Sequence, residues 1–167
     1  MAEALLRRRL GDVGEVVTVH SAGLLDDGIP ASAEGVETMT RFGLDTSGHR
    51  SQRMNAEMLD AADLVVCMAR EHLREAVLAA PGSWPRAFTL KELVRRAEQV
   101  GARAPGQPFD EWLEKVHAGR MRSDLLGSSA DDDVADPIGR PVAVYERTAA
   151  ELDDLISRLA FLGWPGA

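Results

Sequence analysis

The sequence predicts an α/β domain in which a parallel sheet is flanked by helices. Short apolar segments alternate with amphipathic helical segments along the chain, and this alternation favours parallel strands joined by right-handed crossovers. Residues 63–68 form a nearly continuous apolar run, which is typical of a strand buried on both faces. The chain has 167 residues, of which 45% are hydrophobic, enough for one domain with a substantial core.

The first half of the chain contains one predicted strand and three predicted helices. Residues 1–10 read as helix from Met1 onward, without a preceding strand, turn or cap. The β-branched stretch 15–20 predicts a strand that runs into the loop Ser21-Ala22-Gly23. Pro30 is predicted to open a helix that ends at Phe42, just before Gly43. A short helix is expected near residues 55–62.

The second half of the chain continues the alternation. The predicted elements are, in order, a strand over 63–68, a helix over 70–80, an edge strand over 87–90, a helix over 91–100, a small helix over 109–116 and a last helix from about 141. Pro81-Gly82 stops the first of these helices. The small helix follows a Gly/Pro-rich loop, and its apolar residues lie at positions i, i+3, i+4 and i+7, namely Phe109, Trp112, Leu113 and Val116.

Only three strands are visible, which is few for a sheet of this kind. In open α/β sheets, ligands bind in the loops after the strands, often at the first strand-to-helix turn. Because Met1 already begins a helix, we expect a further strand and the loop best suited to chemistry to lie before Met1.

Composition excludes several classes of function. The net charge of −8 argues against nonspecific binding to nucleic acid or to anionic membranes. No apolar run approaches the roughly 18 residues of a membrane span, and no secretory signal is recognisable. Cys67 is the only cysteine, so an intramolecular disulfide and a Cys-rich metal site are excluded. The four histidines lack metal-ligand spacing. We therefore expect a cytoplasmic protein without metal or cofactor.

Two residues are candidates for chemistry. Asp136 lies in a predicted loop, and Pro137 restricts it to extended conformations, so its carboxyl could protonate a leaving group. The alternative is a polar turn in which Asp136 caps the last helix. Cys67 ends a buried strand and has no glycine-rich loop after it, which favours an inert core cysteine over a nucleophile.

Several segments occur in an order that resembles a known family. They are Met1-Ala2-Glu3-Ala4-Leu5, Val19-His20-Ser21-Ala22-Gly23, Gly48-His49-Arg50-Ser51, Ala62-Asp63-Leu64-Val65-Val66-Cys67-Met68 and Asp133-Val134-Ala135-Asp136-Pro137. Together they resemble the bacterial low-molecular-weight protein tyrosine phosphatases. The resemblance covers nearly the whole chain as one domain over 1–167, with a less familiar helical insertion at about 101–127.

The resemblance implies a flavodoxin-like three-layer sandwich and phosphatase chemistry. In this family a C-x5-R-S loop between the first strand and the first helix supplies a cysteine nucleophile and a phosphate-binding arginine. An aspartic acid followed by proline then protonates the leaving phenol oxygen and later activates water. Asp136 matches this general acid/base. The implied partner is a phosphotyrosine protein or another aryl phosphate.

The resemblance also defines what these 167 residues lack. Met1 matches the Met just after the family loop, so the first strand, the nucleophile and the arginine are missing. Cys67 matches a structural position, and the related arsenate reductases need several cysteines. The missing strand belongs inside the sheet, between 15–20 and 63–68. We expect these two strands to pair directly, a homodimer to fill the gap, or the fold to be marginally stable.

Three functions remain open at this point. The first is an active phosphatase whose natural chain carries the missing loop, although the polypeptide as given is expected to be inactive. The second is a non-catalytic pseudophosphatase that acts as a binding or regulatory module. The third is an unrelated receiver-like domain, which is the weakest because Asp63 is the only acidic residue near a strand end.

Overall fold

A computed structural model describes residues 1–11, 17–127 and 129–165. Its regular elements, in chain order, are α1 (Ala2–Gly11), α2 (Ala33–Arg41), α3 (Ala56–Ala61), β1 (Val65–Cys67), α4 (Arg70–Ala79), β2 (Ala87–Thr89), α5 (Leu90–Val100), α6 (Phe109–His117) and α7 (Val142–Gly163). Two 3₁₀ segments, Pro81–Arg86 and Arg122–Leu125, connect them. No helix among the described residues is both long and apolar enough to span a bilayer.

The sheet of the described residues is small and parallel, as the alternation of elements predicts. β1 pairs with β2 in the register Val65↔Ala87, Val66↔Phe88 and Cys67↔Thr89. The chain crosses from β1 to β2 through α4 and the first 3₁₀ segment. The α/β class and the parallel pairing are therefore confirmed.

Residues 17–20 do not form the predicted strand, and positions 15 and 16 of that prediction lie outside the described residues. Residues 17–20 are not paired with β1 either, so the expected direct pairing is wrong for the described part of the chain. The carbonyl of Val19 instead accepts hydrogen bonds from Arg7 Nε and Nη2, at 3.0 and 2.6 Å. A guanidinium from α1 thus satisfies a backbone group that a neighbouring strand would otherwise pair with. The homodimer and the marginal stability stay predictions.

Apolar residues cover both faces of β1. Val66 packs against the larger core cluster, which is built mainly from α1, α5, α6 and α7. Val65 and Cys67 contact a smaller cluster that includes Leu73 and Trp84. Because successive side chains of a strand point to opposite faces, this division shows the sheet lying between two helical layers.

Two helices follow their predicted periodicity closely. α7 follows Pro141 and buries one face, the residues Tyr145, Ala149, Leu152, Leu155, Ile156 and Leu159. α6 buries Trp112, Leu113 and Val116. Segment 101–127 is thereby attached to the core, and Trp112 Nε1 also donates to the Gly101 carbonyl at 3.0 Å.

Two helix starts differ from the predicted ones because of their caps. α2 begins at Ala33 rather than at Pro30, since the hydroxyl of Ser32 accepts a hydrogen bond from the Gly35 amide. α3 begins after Asn55, whose side chain accepts from the Met58 amide. In both cases a polar N-cap residue fixes the first turn.

The buried guanidinium of Arg120 joins segment 101–127 to the first 3₁₀ segment, β2 and α5. The side chain of Arg120 has no solvent exposure and lies 4.0 Å from the centroids of both the Trp84 and Phe88 rings. Its Nε and Nη2 donate to the two carboxylate oxygens of Glu92, at 2.8 and 3.0 Å. Its Nη1 lies 3.0 Å from Nδ1 of His117. Since arginine only donates, His117 accepts at Nδ1 in its neutral form.

This arrangement predicts that His117 makes stability depend on pH. Burial, and then the charges of Arg120 and Arg96, lower the pKa of His117 from its ordinary value of 6.5. The unfolded chain therefore binds a proton more readily than the native one. The contribution of His117 to stability is complete above about pH 6.5 and is lost as the pH falls below that value.

Urea unfolding at about pH 7.5 and about pH 5.5 measures this effect. We expect the free energy of unfolding to be lower at the acidic pH, and this difference to shrink in His117→Gln. The exposed His72 provides the matched control, His72→Gln, which should keep the full difference. If the free energy of unfolding falls by the same amount at the acidic pH in His117→Gln and in the unmodified chain, His117 is not responsible for the pH dependence.

Candidate functional site

Asp136 lies in an exposed position on the loop of residues 129–140, called here the Asp136 loop. Its Oδ1 accepts a hydrogen bond from the amide of Ile138 at 3.0 Å, while Pro137 is buried. α7 follows Pro141 without a side-chain cap, so the alternative in which Asp136 caps the last helix is wrong. The carboxyl is instead held by its own turn and is accessible to solvent.

Backbone contacts fix this loop at the carboxyl end of β1. The amide of Val134 donates to the carbonyl of Met68, the residue after β1, at 2.7 Å. The amide of Arg70, the first residue of α4, donates to Asp133 Oδ1 at 2.8 Å. Ligands of open α/β sheets bind at this edge, next to helix N-termini. The Asp136 carboxyl is thus placed where the fold class puts its chemistry.

The loop is also attached to the helices on either side of it. Lys91 Nζ, at the start of α5, donates to the carbonyl of Asp133 at 2.8 Å. Asp132 is buried and pairs with arginines of α4 and α5, Arg70 and Arg95. The sequence shows an acidic run here. The partners of Asp132 lie 62 and 37 residues away along the chain, so no local sequence pattern indicates these ion pairs. These attachment residues are therefore missed by sequence reasoning.

Cys67 lies in an environment that suppresses its reactivity. Its side chain is buried in the smaller core cluster. Burial raises the pKa of its thiol to about 12, against a smaller lowering by the charge of Arg120. The thiol therefore stays protonated and unreactive at neutral pH. Arg70 follows Cys67 after two residues rather than five, so the C-x5-R spacing is absent here.

Three of the sequence motifs converge near the start of α1. Glu3 accepts a hydrogen bond from the Ser21 hydroxyl and lies 2.7 Å from Arg7. His49 Nδ1 is 3.7 Å from the same carboxylate. Glu3, Ser21 and His49 come from three different segments of the resemblance, so these segments form one connected network around the first helix.

Among residues 1–11, 17–127 and 129–165, no group of three or more His, Cys, Asp or Glu side chains could hold a metal ion. The candidate site comprises the exposed carboxyl of Asp136 and the N-terminus of α4, which begins at Arg70.

Comparisons with known proteins agree with this geometry. The family model of the low molecular weight phosphotyrosine protein phosphatases matches residues 1–118. A probable low molecular weight protein-tyrosine-phosphatase, EpsP of Ralstonia solanacearum, is 36% identical over 120 residues, which are 71% of this chain and 80% of that protein. A protein-arginine-phosphatase of Geobacillus stearothermophilus is 29% identical over 145 residues, 86% of this chain and 75% of that protein.

Solved structures give the same result. The low molecular weight protein tyrosine phosphatase from T. tengcongensis superposes with a TM-score of 0.67 at 32% identity, covering 95% of this chain and 86% of that one. A YwlE mutant from Bacillus subtilis gives a TM-score of 0.68 at 25% identity, over 95% and 85%. These neighbours confirm the flavodoxin-like fold class. The chain belongs to the low molecular weight phosphotyrosine protein phosphatase family.

Proposed function

We propose that Asp136 is the general acid and base of a phosphatase reaction on aryl phosphates, with phosphotyrosine proteins as substrates. The observation that carries this proposal is the attachment of the Asp136 loop to Met68 and Arg70 at the carboxyl end of β1. The tyrosine phosphatase relative at 36% identity supports the aryl substrate. The single cysteine, present as a free thiol, fits a cytoplasmic protein.

The reaction has two steps in this proposal. A cysteine thiolate attacks phosphorus, the bond to the phenol oxygen breaks, and Asp136 gives that oxygen its proton. The Asp136 carboxylate then takes a proton from water as the water oxygen attacks the phosphocysteine. Inorganic phosphate leaves, and the thiolate is regenerated.

We propose that Cys67 is not this nucleophile and that the 167-residue polypeptide alone does not catalyse the reaction. The buried thiol with its raised pKa supports the first statement, and the missing C-x5-R spacing supports the second. The edge of β1 that faces away from β2 is also unpaired within the described part of the chain. Apolar packing on both faces of β1 suits an interior strand.

A chain carrying the loop tests this proposal directly. The extended chain is defined here as residues 1–167 preceded by a strand and a C-x5-R-S loop of the form that the family resemblance implies. We expect hydrolysis of p-nitrophenyl phosphate by the extended chain and none by residues 1–167. Activity should disappear when the loop cysteine becomes serine and persist in Cys67→Ser, which is the matched control.

Two results would contradict it. One is turnover by residues 1–167 that survives Cys67→Ser and is abolished by Asp136→Ala. The other is an extended chain that hydrolyses phosphoarginine but not phosphotyrosine peptides, which would favour the chemistry named for the Geobacillus relative. The coding frame upstream of Met1 supplies an independent check, since a C-x5-R-S sequence there would support an active phosphatase.

A non-catalytic binding module is the second candidate. It follows if the natural chain has no cysteine other than the buried Cys67. This candidate predicts that the natural protein does not hydrolyse aryl phosphates and that a stop codon lies close upstream of Met1. Hydrolysis by the extended chain would show only that residues 1–167 can complete an active site when the loop is added. The coding frame upstream of Met1 therefore decides between the two candidates.

A further inference from the structure

A buried carboxylate with two arginine partners holds the first part of the Asp136 loop. The Asp132 side chain is 6% exposed, and its Oδ2 accepts from Arg70 Nε and Nη2 at 2.8 and 2.6 Å. Its Oδ1 accepts from Arg95 Nη2 at 2.8 Å. Burial by itself raises the pKa of Asp132, but the hydrogen bonds and charges of Arg95 and Arg70 outweigh burial and lower it. The carboxylate is therefore ionised at neutral pH.

The two arginines belong to different helices, which pack into different core clusters. Arg70 is the first residue of α4, which follows β1, and Arg95 lies in the middle of α5, which follows β2. Asp132 thus joins the helices that leave two adjacent parallel strands. Because Asp132 is four residues before Asp136, this junction fixes the loop relative to both strands.

Open space lies beside the Asp132 contact, although Val134, two residues later, packs in the larger core cluster. A cavity of about 140 Å³ lies beside Asp132 and is bounded by Arg70, Arg95 and Trp84, among others. A more open depression of about 380 Å³ is bounded by the same two arginines, by Asp132 and by Asp131. Beside this space, the directional ion pairs of Asp132 hold the first part of the loop. Such pairs add little net stability but impose a defined geometry.

We propose that Asp132 is a positioning residue. Its ion pairs with Arg70 and Arg95, called here the clamp, set the position of the Asp136 carboxyl over the reacting phosphate. This inference rests on the proposed function. The hydrogen bond from Val134 to Met68, midway between Asp132 and Asp136, is the contact through which the clamp acts. Loss of the Asp132 charge should release this bond first.

Hydrogen exchange in the 167-residue chain tests the clamp without any catalysis. Asp132→Asn keeps the size of the side chain and removes its charge. We expect the amides of Val134 and Arg70 to exchange about 10-fold faster or more in this variant, with no change at Leu155 in α7. A general loss of stability would accelerate all three amides together. Asp131→Asn, at the exposed neighbouring position, is the matched control and should change none.

Leaving-group dependence in the extended chain tests the link to Asp136. Phenyl phosphate needs the proton more than p-nitrophenyl phosphate does, because phenol is the weaker acid. We expect Asp132→Asn to lower kcat about 10-fold for phenyl phosphate and less for p-nitrophenyl phosphate, with KM little changed. Asp131→Asn should alter neither rate.

The outcomes separate this inference from the proposed function. If Asp136→Asn slows phenyl phosphate hydrolysis while Asp132→Asn does not, the positioning role is wrong and the acid assignment stands. If Asp136→Asn has no effect, the acid assignment fails, and with it the positioning role. Unchanged exchange at Val134 in Asp132→Asn overturns the clamp whatever the kinetics show.

Discussion

Replacing Asp136 with alanine in the extended chain is expected to slow phosphotyrosine hydrolysis by about 10²–10⁴-fold. Without the Asp136 carboxyl, the phenolate leaves without receiving a proton, and no base takes a proton from the water that attacks the phosphocysteine. The loss should therefore be larger for phenyl phosphate than for p-nitrophenyl phosphate. Asp136 is exposed, and within the described part of the chain its side chain accepts a hydrogen bond only from its own turn, so the substitution should leave the fold intact.

Steady-state rates and a thermal melt of the same preparations measure this. Asp131→Ala is the matched control, since Asp131 is another exposed carboxylate on the same loop, and its rate should stay within about 2-fold of the parent. Equal rates in Asp136→Ala and the parent would remove Asp136 from the mechanism. A loss of the same size for both aryl phosphates would also argue against proton donation to the leaving group.

Local patterns were sufficient to predict the elements that carry their own signal. The apolar face of α7 is read directly from its periodicity, because a helix repeats every 3.6 residues whatever packs against it. β1 is recognisable because a strand covered on both faces needs apolar residues at successive positions. Asp136 could be selected because a proline follows it and because the surrounding residues match a family motif.

Long-range contacts explain what the sequence could not predict. Residues 17–20 have the β-branched composition of a strand, but a strand exists only beside a partner, and Arg7 satisfies the Val19 carbonyl instead. The acidic run before Asp136 resembles a solvated turn, whereas Asp132 is buried between arginines of α4 and α5. Both differences arise from tertiary partners rather than from local preference.

Replacing Arg120 with alanine is expected to destabilise the protein by about 3–5 kcal/mol. The substitution removes the guanidinium between Trp84 and Phe88 and leaves the carboxylate of Glu92, a residue 9% exposed, without its charged partner. An uncompensated buried charge costs more than the pair contributes when intact. Urea unfolding at neutral pH measures the change, and the exposed Arg122 gives the control Arg122→Ala, expected within about 0.5 kcal/mol.

A double variant separates the lost charge partner from the lost packing. In Arg120→Met with Glu92→Leu, neither charge remains, and apolar side chains occupy the space beside the two rings. Apolar replacement of a buried ion pair is often neutral or stabilising, so most of the stability lost in Arg120→Ala should return. If the double variant is as unstable as Arg120→Ala, the stacking of Arg120 on the rings, rather than the unpaired Glu92, accounts for the loss. A cost below about 1 kcal/mol in Arg120→Ala would show that Glu92 finds solvent instead.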